Sequence, residues 1–493
     1  MAGRPLINVG ANLLARVTSV LAGFVSVPLY LERLGEESFG VVGVFASLQV
    51  VIGVLDAGLT MDVGRRVSRT PERERATEVP NLVRTFGRAY WTLGAVTSVG
   101  AVLAAPLIAY HWLQVGSLAP ERVALSLGIL GLSLGVQWPL SMYTTVVQSL
   151  ENQVATSLAT ALTSVLRVGV VLALLDGIAP CLELYALGQG IVTLLQALLM
   201  RVALERTVPV WARGAVQAGL IRAAVGSGTA VGLLSTIQIV LSQLDRLVLS
   251  RQLVLSDFGR FSVASTLYWN LSSFITPVFS AYLPRLLASA PPATAGSTRE
   301  RTLMEGSLVM ACVTTPPCLT LALFGRETLW AWTGDAELAE ESGTIVLALA
   351  LGHLLTAYHF IPQCLQHAQQ RLRPQITASL LALAVGGAWM SFSTELPRAA
   401  WGWAIMSAII LALACPWAIR ELGGRALARW ALSCVLGPMV VVGLPALAVR
   451  WAFTPNDRRE CIVPILIAAA STSVAAGLYF LLFRDKRVEV SRD

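Results

Sequence analysis

Fourteen apolar blocks of about 18 to 25 residues run the length of this chain, each interrupted by few charges. A block of that length crosses a hydrocarbon core about 30 Å thick when helical. The blocks read as 6–31, 39–60, 89–110, 123–147, 154–175, 183–200, 226–250, 260–283, 307–325, 343–364, 375–393, 400–419, 430–449 and 461–483. At about 20 residues apiece they consume roughly 280 residues. The remainder is shared among short connections, none long enough for a soluble domain of about 50 residues or more. Composition agrees: 55% of the 493 residues are hydrophobic and 13% charged, about half the charge of a soluble protein. The fold class is an all-α polytopic membrane protein, which excludes a soluble enzyme, a receptor with an ectodomain and a β-barrel.

The net charge of +7 suggests nucleic acid until the charges are placed. Of 36 basic residues, 24 fall on one side of the alternating spans, 9 on the other, counting Arg260 at the edge of its span, and three inside. Lys and Arg accumulate in cytoplasmic loops, so both termini are expected inside and no nucleic-acid partner is expected. The largest cytoplasmic loop holds Arg65, Arg66, Arg69, Arg73, Arg75, Arg84 and Arg88, and the acidic run Glu327 to Glu341 falls opposite. The first span lacks a small-residue cleavage site and reads as a retained anchor. Seven scattered cysteines form no CxxC; Cys181 and Cys461 lie near the outer face, where a disulfide is one option.

One internal echo stands out. Glu36-Glu37-Ser38-Phe39-Gly40, followed by Val44, matches Leu255-Ser256-Asp257-Phe258-Gly259, followed by Val263, at an offset of 219. It lays span 1 on span 7 and span 2 on span 8, a parallel repeat of the kind transporters carry. The expected domains are a six-helix lobe over 1–200, a basic cytoplasmic connector over 201–225 and a second six-helix lobe over 226–419. An extra helix pair over 430–483 and a tail over 484–493 complete the chain. Prolines recur within spans at Pro28, Pro106, Pro139, Pro277, Pro316, Pro317 and Pro416, where freed carbonyls must find partners.

Charges inside the spans carry the functional signal. Arg16 lies ten residues into span 1, about 15 Å along a helix. Arg there costs about 2.5–3.5 kcal/mol on insertion scales, so it should face a polar cavity or an acidic partner. A guanidinium in such a cavity suits a phosphate through bidentate, permanently charged bonds. Arg167, two thirds across span 5, reads the same way. Asp245 and Arg246 sit near the outer end of span 7. Arg246 can snorkel outward or face substrate; Asp245 needs a cation, a proton or donors, which makes it an ion- or proton-coupling candidate. Asp56, near the cytoplasmic end of span 2, reads as a cap or as the partner of Arg65 or Arg66, and is a further coupling candidate. Span 8 carries a polar stripe of Tyr268, Trp269, Asn270, Ser272, Ser273 and Thr276, suited to sugar, water or inter-helix glue; Asn270 is the cavity candidate. His353 and His359 lie six apart and so do not share a metal; His353 is a proton-relay candidate. No HExxH and no GxxxxGK[ST] occur, so no metal site and no cofactor are expected.

Several stretches resemble a known family. Pro28-Leu29-Tyr30-Leu31-Glu32-Arg33-Leu34-Gly35-Glu36-Glu37-Ser38-Phe39-Gly40 with Leu55-Asp56-Ala57-Gly58-Leu59 is similar to the start of bacterial Wzx-type polysaccharide flippases. Gln243 to Ser250, Asp257-Phe258-Gly259 and Tyr282-Leu283-Pro284-Arg285-Leu286 are similar too. Tyr143 to Glu151 looks like the family's stretch after span 4, with Ser149 where Gly is usual. The resemblance runs from span 1 to span 8, belongs to the multidrug/oligosaccharidyl-lipid/polysaccharide exporter superfamily, and does not single out one member.

The resemblance implies two six-helix lobes around a central cavity plus two C-terminal helices, in the bacterial inner membrane, with no enzymatic activity. It also implies a flippase for undecaprenyl-pyrophosphate-linked oligosaccharide in O-antigen, lipopolysaccharide or exopolysaccharide assembly, working beside polymerase and chain-length-control proteins. Arg16 and Arg167 are the candidates for the pyrophosphate. The alternatives are a cation-coupled multidrug exporter, a peptidoglycan lipid-precursor flippase and a membrane polysaccharide polymerase.

Overall fold

The computed structural model describes residues 3–208, 215–217, 219–220, 230–288, 295–369, 371–420, 422–453, 455 and 457–489. Among them no β-strand forms, and a lone parallel bridge joins Gln114 to Val254. The apolar blocks become helices. Much of the 201–225 connector and residues 490–493 of the tail lie outside the described residues.

The chain divides into two compact units, Met1–Ile239 with Ser250–Gly259, and Val240–Leu249 with Arg260–Asp493. The first contains α1 (Gly3–Arg69), α2 (Arg75–Leu107), α3 (Pro120–Ser149), α4 (Gln153–Gly177) and α5 (Leu182–Thr207). Spans 1 and 2 are thus one continuous run of helix, broken at Gly35. There φ is 75° and ψ 168°, a left-handed conformation that costs glycine little and a side-chain-bearing residue much. After Pro106 the ladder of α2 loosens into a π-turn over Ile108–Trp112, the expected local response to a proline inside a membrane helix.

The core of this unit is Val63, Phe86, Tyr90, Trp138 and Met142, all buried. Helices α2 and α3 approach through small residues. A Cβ at Gly131 would press on Ala101, and one at Gly94 on the carbonyl of Gly135, the close backbone contact that drives helix pairing in lipid. Large apolar side chains such as Val99, Leu103, Leu158 and Leu162 stand exposed on α2 and α4, as lipid-facing surface requires.

Helices α6 (Ala230–Gln252) and α7 (Leu255–Asn270) form a hairpin whose tip belongs to the first unit. Here the two halves of the sequence echo meet. A Cβ at Gly40 would collide with the carbonyl oxygen of Leu255, and one at Gly259 with that of Glu36. Two helix starts therefore cross backbone to backbone at Gly40 and Gly259, with Phe39 and Phe258 buried beside them. The 113–118 loop completes the clasp. Leu255 N–H donates to Gln114 O at 2.9 Å, and Gln114 Nε2 donates to the carbonyls of Arg251 and Gln252, each at 3.1 Å.

The Glu37 carboxylate is held in the same clasp by the backbone N–H of Gly116 at 2.6 Å, of Ser117 at 2.9 Å and of Leu118 at 3.3 Å, and by the Ser117 hydroxyl. Successive amides around an anion form a nest. Charge-assisted bonds of this sort contribute about 1.5–3 kcal/mol each when dry, and less in a half-exposed setting. Glu37→Ala is expected to lower the unfolding temperature of the purified protein by about 2 °C or more. Glu32→Ala, whose only ion-pair contact among the described residues is Arg33 at 3.6 Å with the carboxylate 77% exposed, should leave it unchanged.

The second unit contains α8 (Ser272–Ala288), α9 (Ala295–Leu323), α10 (Gly325–Thr333), α11 (Ala336–Ala368), α12 (Arg373–Phe392), α13 (Leu396–Arg420), α14 (Gly424–Trp430), α15 (Gly437–Ala452) and α16 (Ile462–Glu489). Span 8 is not one rod: it splits into α7 and α8 at Leu271, where one-turn bonds from Leu271 N to Tyr268 O and from Phe274 N to Leu271 O replace the α-ladder. The core is built on Tyr282, Leu308, Ile361, Trp430 and Tyr479. Three carboxylates of the acidic run pair with arginines within this unit: Glu327 with Arg450 at 2.5 Å, and Glu340 and Glu341 with Arg326 and Arg260. Cys181 and Cys461 are free thiols.

Candidate functional site

Three helices of the first unit each turn one stripe that carries polar residues among apolar ones toward a common open cavity of about 610 Å³. On α1 the stripe is Phe45, Gln49, Gly53 and Asp56; on α3 it is Gln137 and Ser141; on α5 it is Tyr185, Gln189, Thr193 and Gln196. These spacings of three and four residues place each set on one helix face. Arg167 enters from α4. It also lines a smaller cavity of about 290 Å³ whose α1 wall is Ser19, Gly23, Ser26 and Tyr30.

Arg167 is half-buried and positioned from two sides. Its Nη1 donates to Gln189 Oε1 at 2.6 Å and to Thr193 Oγ1 at 3.4 Å, and the Tyr30 hydroxyl donates to its backbone carbonyl at 3.3 Å. Both side-chain acceptors are neutral. Among the described residues no carboxylate comes within ion-pair distance of it. A guanidinium set among neutral dipoles in a membrane-spanning helix keeps its charge and donors for an anion.

Arg16 is exposed and lines neither cavity. It does share the α1 face with Asn12 and Ser19, which pair with α4: Asn12 Nδ2 donates to Gln153 at 2.7 Å, Ser157 Oγ donates to Asn12 at 2.6 Å, and Ser19 meets Ser164 at 2.8 Å. Arg16 thus sits beside this polar seam, one turn from the wall of the smaller cavity.

Asp56 does reach the larger cavity, but not in the expected pairing. It is buried and accepts from Thr60 Oγ1 at 2.7 Å, within a cluster that includes Tyr90 and Ser141. Arg66 pairs instead with Asp62 at 2.6 Å. Thr60 and Asp62 are each one turn from the group they satisfy, and this proximity outcompetes the longer reach from Asp56 to Arg65 or Arg66.

The remaining candidates lie in the second unit. Arg246 does not snorkel. It is 8% exposed, lies 5.7 Å over the Trp269 ring and donates to Ser265 Oγ at 3.2 Å; an indole face gives the cation a partner inside. Asp245 is 1% exposed and accepts from the Arg246 backbone N–H at 2.8 Å, while its second oxygen makes no hydrogen bond among the described residues. Tyr268 and His353 meet edge to face at 5.8 Å between ring centroids, and both imidazole nitrogens and the Tyr268 hydroxyl are buried without hydrogen bonds among the described residues. Asn270 folds back on its own helix, donating to Thr266 O at 2.9 Å. Of the polar stripe, then, Tyr268 is core rather than cavity lining, and Asn270 and Thr276 are bonded within their own helices.

The glutamines at 49, 137, 189 and 196 escape a sequence reading that follows charge. Their signal lies in polar residues recurring at helical spacing along otherwise apolar spans.

Comparison with known proteins accords with this architecture. The lipid II flippase MurJ in an inward closed conformation is similar with a TM-score of 0.71 and 11% identity, over 97% of this chain and 99% of that one. An inward-facing multidrug resistance MATE family transporter of the MOP superfamily gives 0.69 and 13%, over 82% and 94%. A MOP superfamily transporter from Pyrococcus furiosus, for which reverse polarity of the binding pocket suggests a different function, gives 0.53 and 14%, over 84% and 94%. At these identities the likeness establishes the fold, that of MOP superfamily transporters. No curated protein matches the sequence. The family model for polysaccharide biosynthesis proteins matches residues 6–289, more than half of the chain, so this protein belongs to the polysaccharide biosynthesis protein family.

Proposed function

We propose that the chain is a flippase that moves an undecaprenyl-pyrophosphate-linked oligosaccharide from the cytoplasmic to the outer leaflet of the bacterial inner membrane, by alternating access, for surface polysaccharide assembly. The observation that carries the reading is Arg167, a cation with neutral partners in a polar cavity. The anion it suits is a diphosphate; Arg16 is the second contact, met on the neighbouring polar seam of α1. In this reading both termini are cytoplasmic, and the polymerase and chain-length-control proteins of the same pathway take over the delivered glycan. The chain itself makes no covalent change to its cargo.

Cycling between states needs a driving group. Asp245 and His353, each with buried polar atoms that make no hydrogen bond among the described residues, are the groups proposed to take a coupling ion or proton. Arg246 fixes the local charge, and Asp56 is a further coupling candidate beside the cargo. Asp245→Asn is expected to slow gradient-driven translocation in proteoliposomes about tenfold, the effect of about 1.4 kcal/mol, with diphosphate affinity at the Arg167 cavity retained. Unchanged gradient dependence would remove Asp245 from the coupling role.

The experiment for the function itself is genetic. Deletion of the gene should abolish surface glycan, with lipid-linked units accumulating on the cytoplasmic side, and the intact gene should restore display. Lost drug resistance with normal glycan display would favour a multidrug exporter instead.

A further inference from the structure

The larger cavity holds more polar groups than anion binding requires. Gln189 and Asp56 are committed, to Arg167 and Thr60 respectively. Gln49, Gln137 and Gln196 are half-buried on α1, α3 and α5, line the same cavity, and their amides make no hydrogen bond among the described residues. A primary amide inside a membrane helix is costly unless bonded, and the usual resolution is a bond to a neighbouring helix. That does not happen here at three positions converging on one space.

We propose that the free amides of Gln49, Gln137 and Gln196 form a saccharide site, taking the first sugar of the cargo while Arg167 holds its diphosphate. The proposal rests on the functional reading above and adds the chemistry of the second half of the ligand. A sugar hydroxyl is one donor and two acceptors, and an amide offers two donors and an acceptor, so each amide matches a hydroxyl in either sense. The volume, about 610 Å³, falls in the range of small-ligand sites, about 300–1,000 Å³. It suits the phosphate-proximal sugar rather than a whole repeat unit.

The test uses detergent-purified full-length protein and two kinds of probe. One is farnesyl diphosphate; the other is farnesyl diphosphate carrying glucose, galactose or N-acetylglucosamine. At least one sugar-bearing probe should bind about tenfold tighter than farnesyl diphosphate, since a few hydrogen bonds at about 0.5–1.5 kcal/mol each suffice. In the Gln137→Ala, Gln196→Ala double variant that ratio should fall to about two or less. Gln196→Leu, which keeps the bulk and removes the amide, serves where the double variant does not elute as a folded monodisperse species, and should show the same direction. No gain with any of the three sugars, with the diphosphate still bound, overturns the saccharide site and leaves the flippase reading intact. A gain that persists in the variants overturns it equally. Failure of every probe to bind overturns both.

Discussion

Arg167→Ala is expected to abolish surface display of the glycan while the protein accumulates normally in the membrane. The guanidinium is tethered to Gln189 and Thr193 through Nη1 alone, which leaves its remaining donors for the proposed anion contact. Two charge-assisted bonds at about 1.5–3 kcal/mol each correspond to roughly a hundredfold or greater loss of diphosphate affinity. Alanine leaves Gln189 and Thr193 facing an open, polar space rather than an apolar void, so folding should survive. Arg167→Lys keeps the charge and loses the planar fork, and an intermediate defect of about tenfold is expected. Arg16→Ala should impair display as well. Quantifying surface glycan in a deletion strain, beside an immunoblot of membrane protein, checks all three. Full display by both alanine variants would contradict the assignment.

The second large effect is on folding. Gly259→Ala is expected to destabilise the protein severely, with loss of most membrane-inserted material. A Cβ there would overlap the carbonyl oxygen of Glu36 and sit 2.8 Å from its carbon and 3.2 Å from Gly40 N. All of these are backbone atoms of the second half of α1, which is itself fixed by the Glu37 nest. No side chain can swing aside to relieve the overlap. Overpacking of this kind costs about 3 kcal/mol or more. Gly40→Ala should behave similarly, through Leu255. The control is Gly100→Ala, where a Cβ meets nothing within 4 Å and helix propensity alone predicts a gain of up to about 1 kcal/mol. Thermal unfolding of the purified variants measures the difference. A Gly259→Ala protein as stable as the Gly100→Ala protein would show that the crossing at the hairpin tip is looser than described.

These two predictions mark what the sequence makes legible. Apolar block length yields the helices because lipid leaves the backbone no alternative, and the break between spans 1 and 2 falls at a glycine. The echo around Phe39-Gly40 and Phe258-Gly259 is visible as a likeness, but likeness does not say that two segments touch. The reason both glycines are needed emerges only when the crossing is seen. Arg167 stands out by its charge and depth. Its partners Gln189 and Thr193 do not, since nothing in linear order links α4 to α5 at that level. Arg246 illustrates the opposite failure. Its position near a span end predicts an outward reach, yet Trp269, one residue beyond Tyr268 on the next helix, supplies a face that keeps it inside. Asp56 misleads for a local reason: arginines nine and ten residues on weigh heavily when charge is counted, but a hydroxyl one turn away is closer.

The central claim is that the first unit presents a cation to the diphosphate of a lipid-linked glycan. Its most direct measurement is transbilayer movement in proteoliposomes loaded with undecaprenyl-diphosphate-linked sugar, with enzymatic accessibility of the sugar from outside as readout. The account predicts that wild-type protein makes the inner-leaflet pool accessible and that Arg167→Ala leaves it protected. Equal rates for the two proteins, or a wild-type protein that leaves the pool protected, would contradict it.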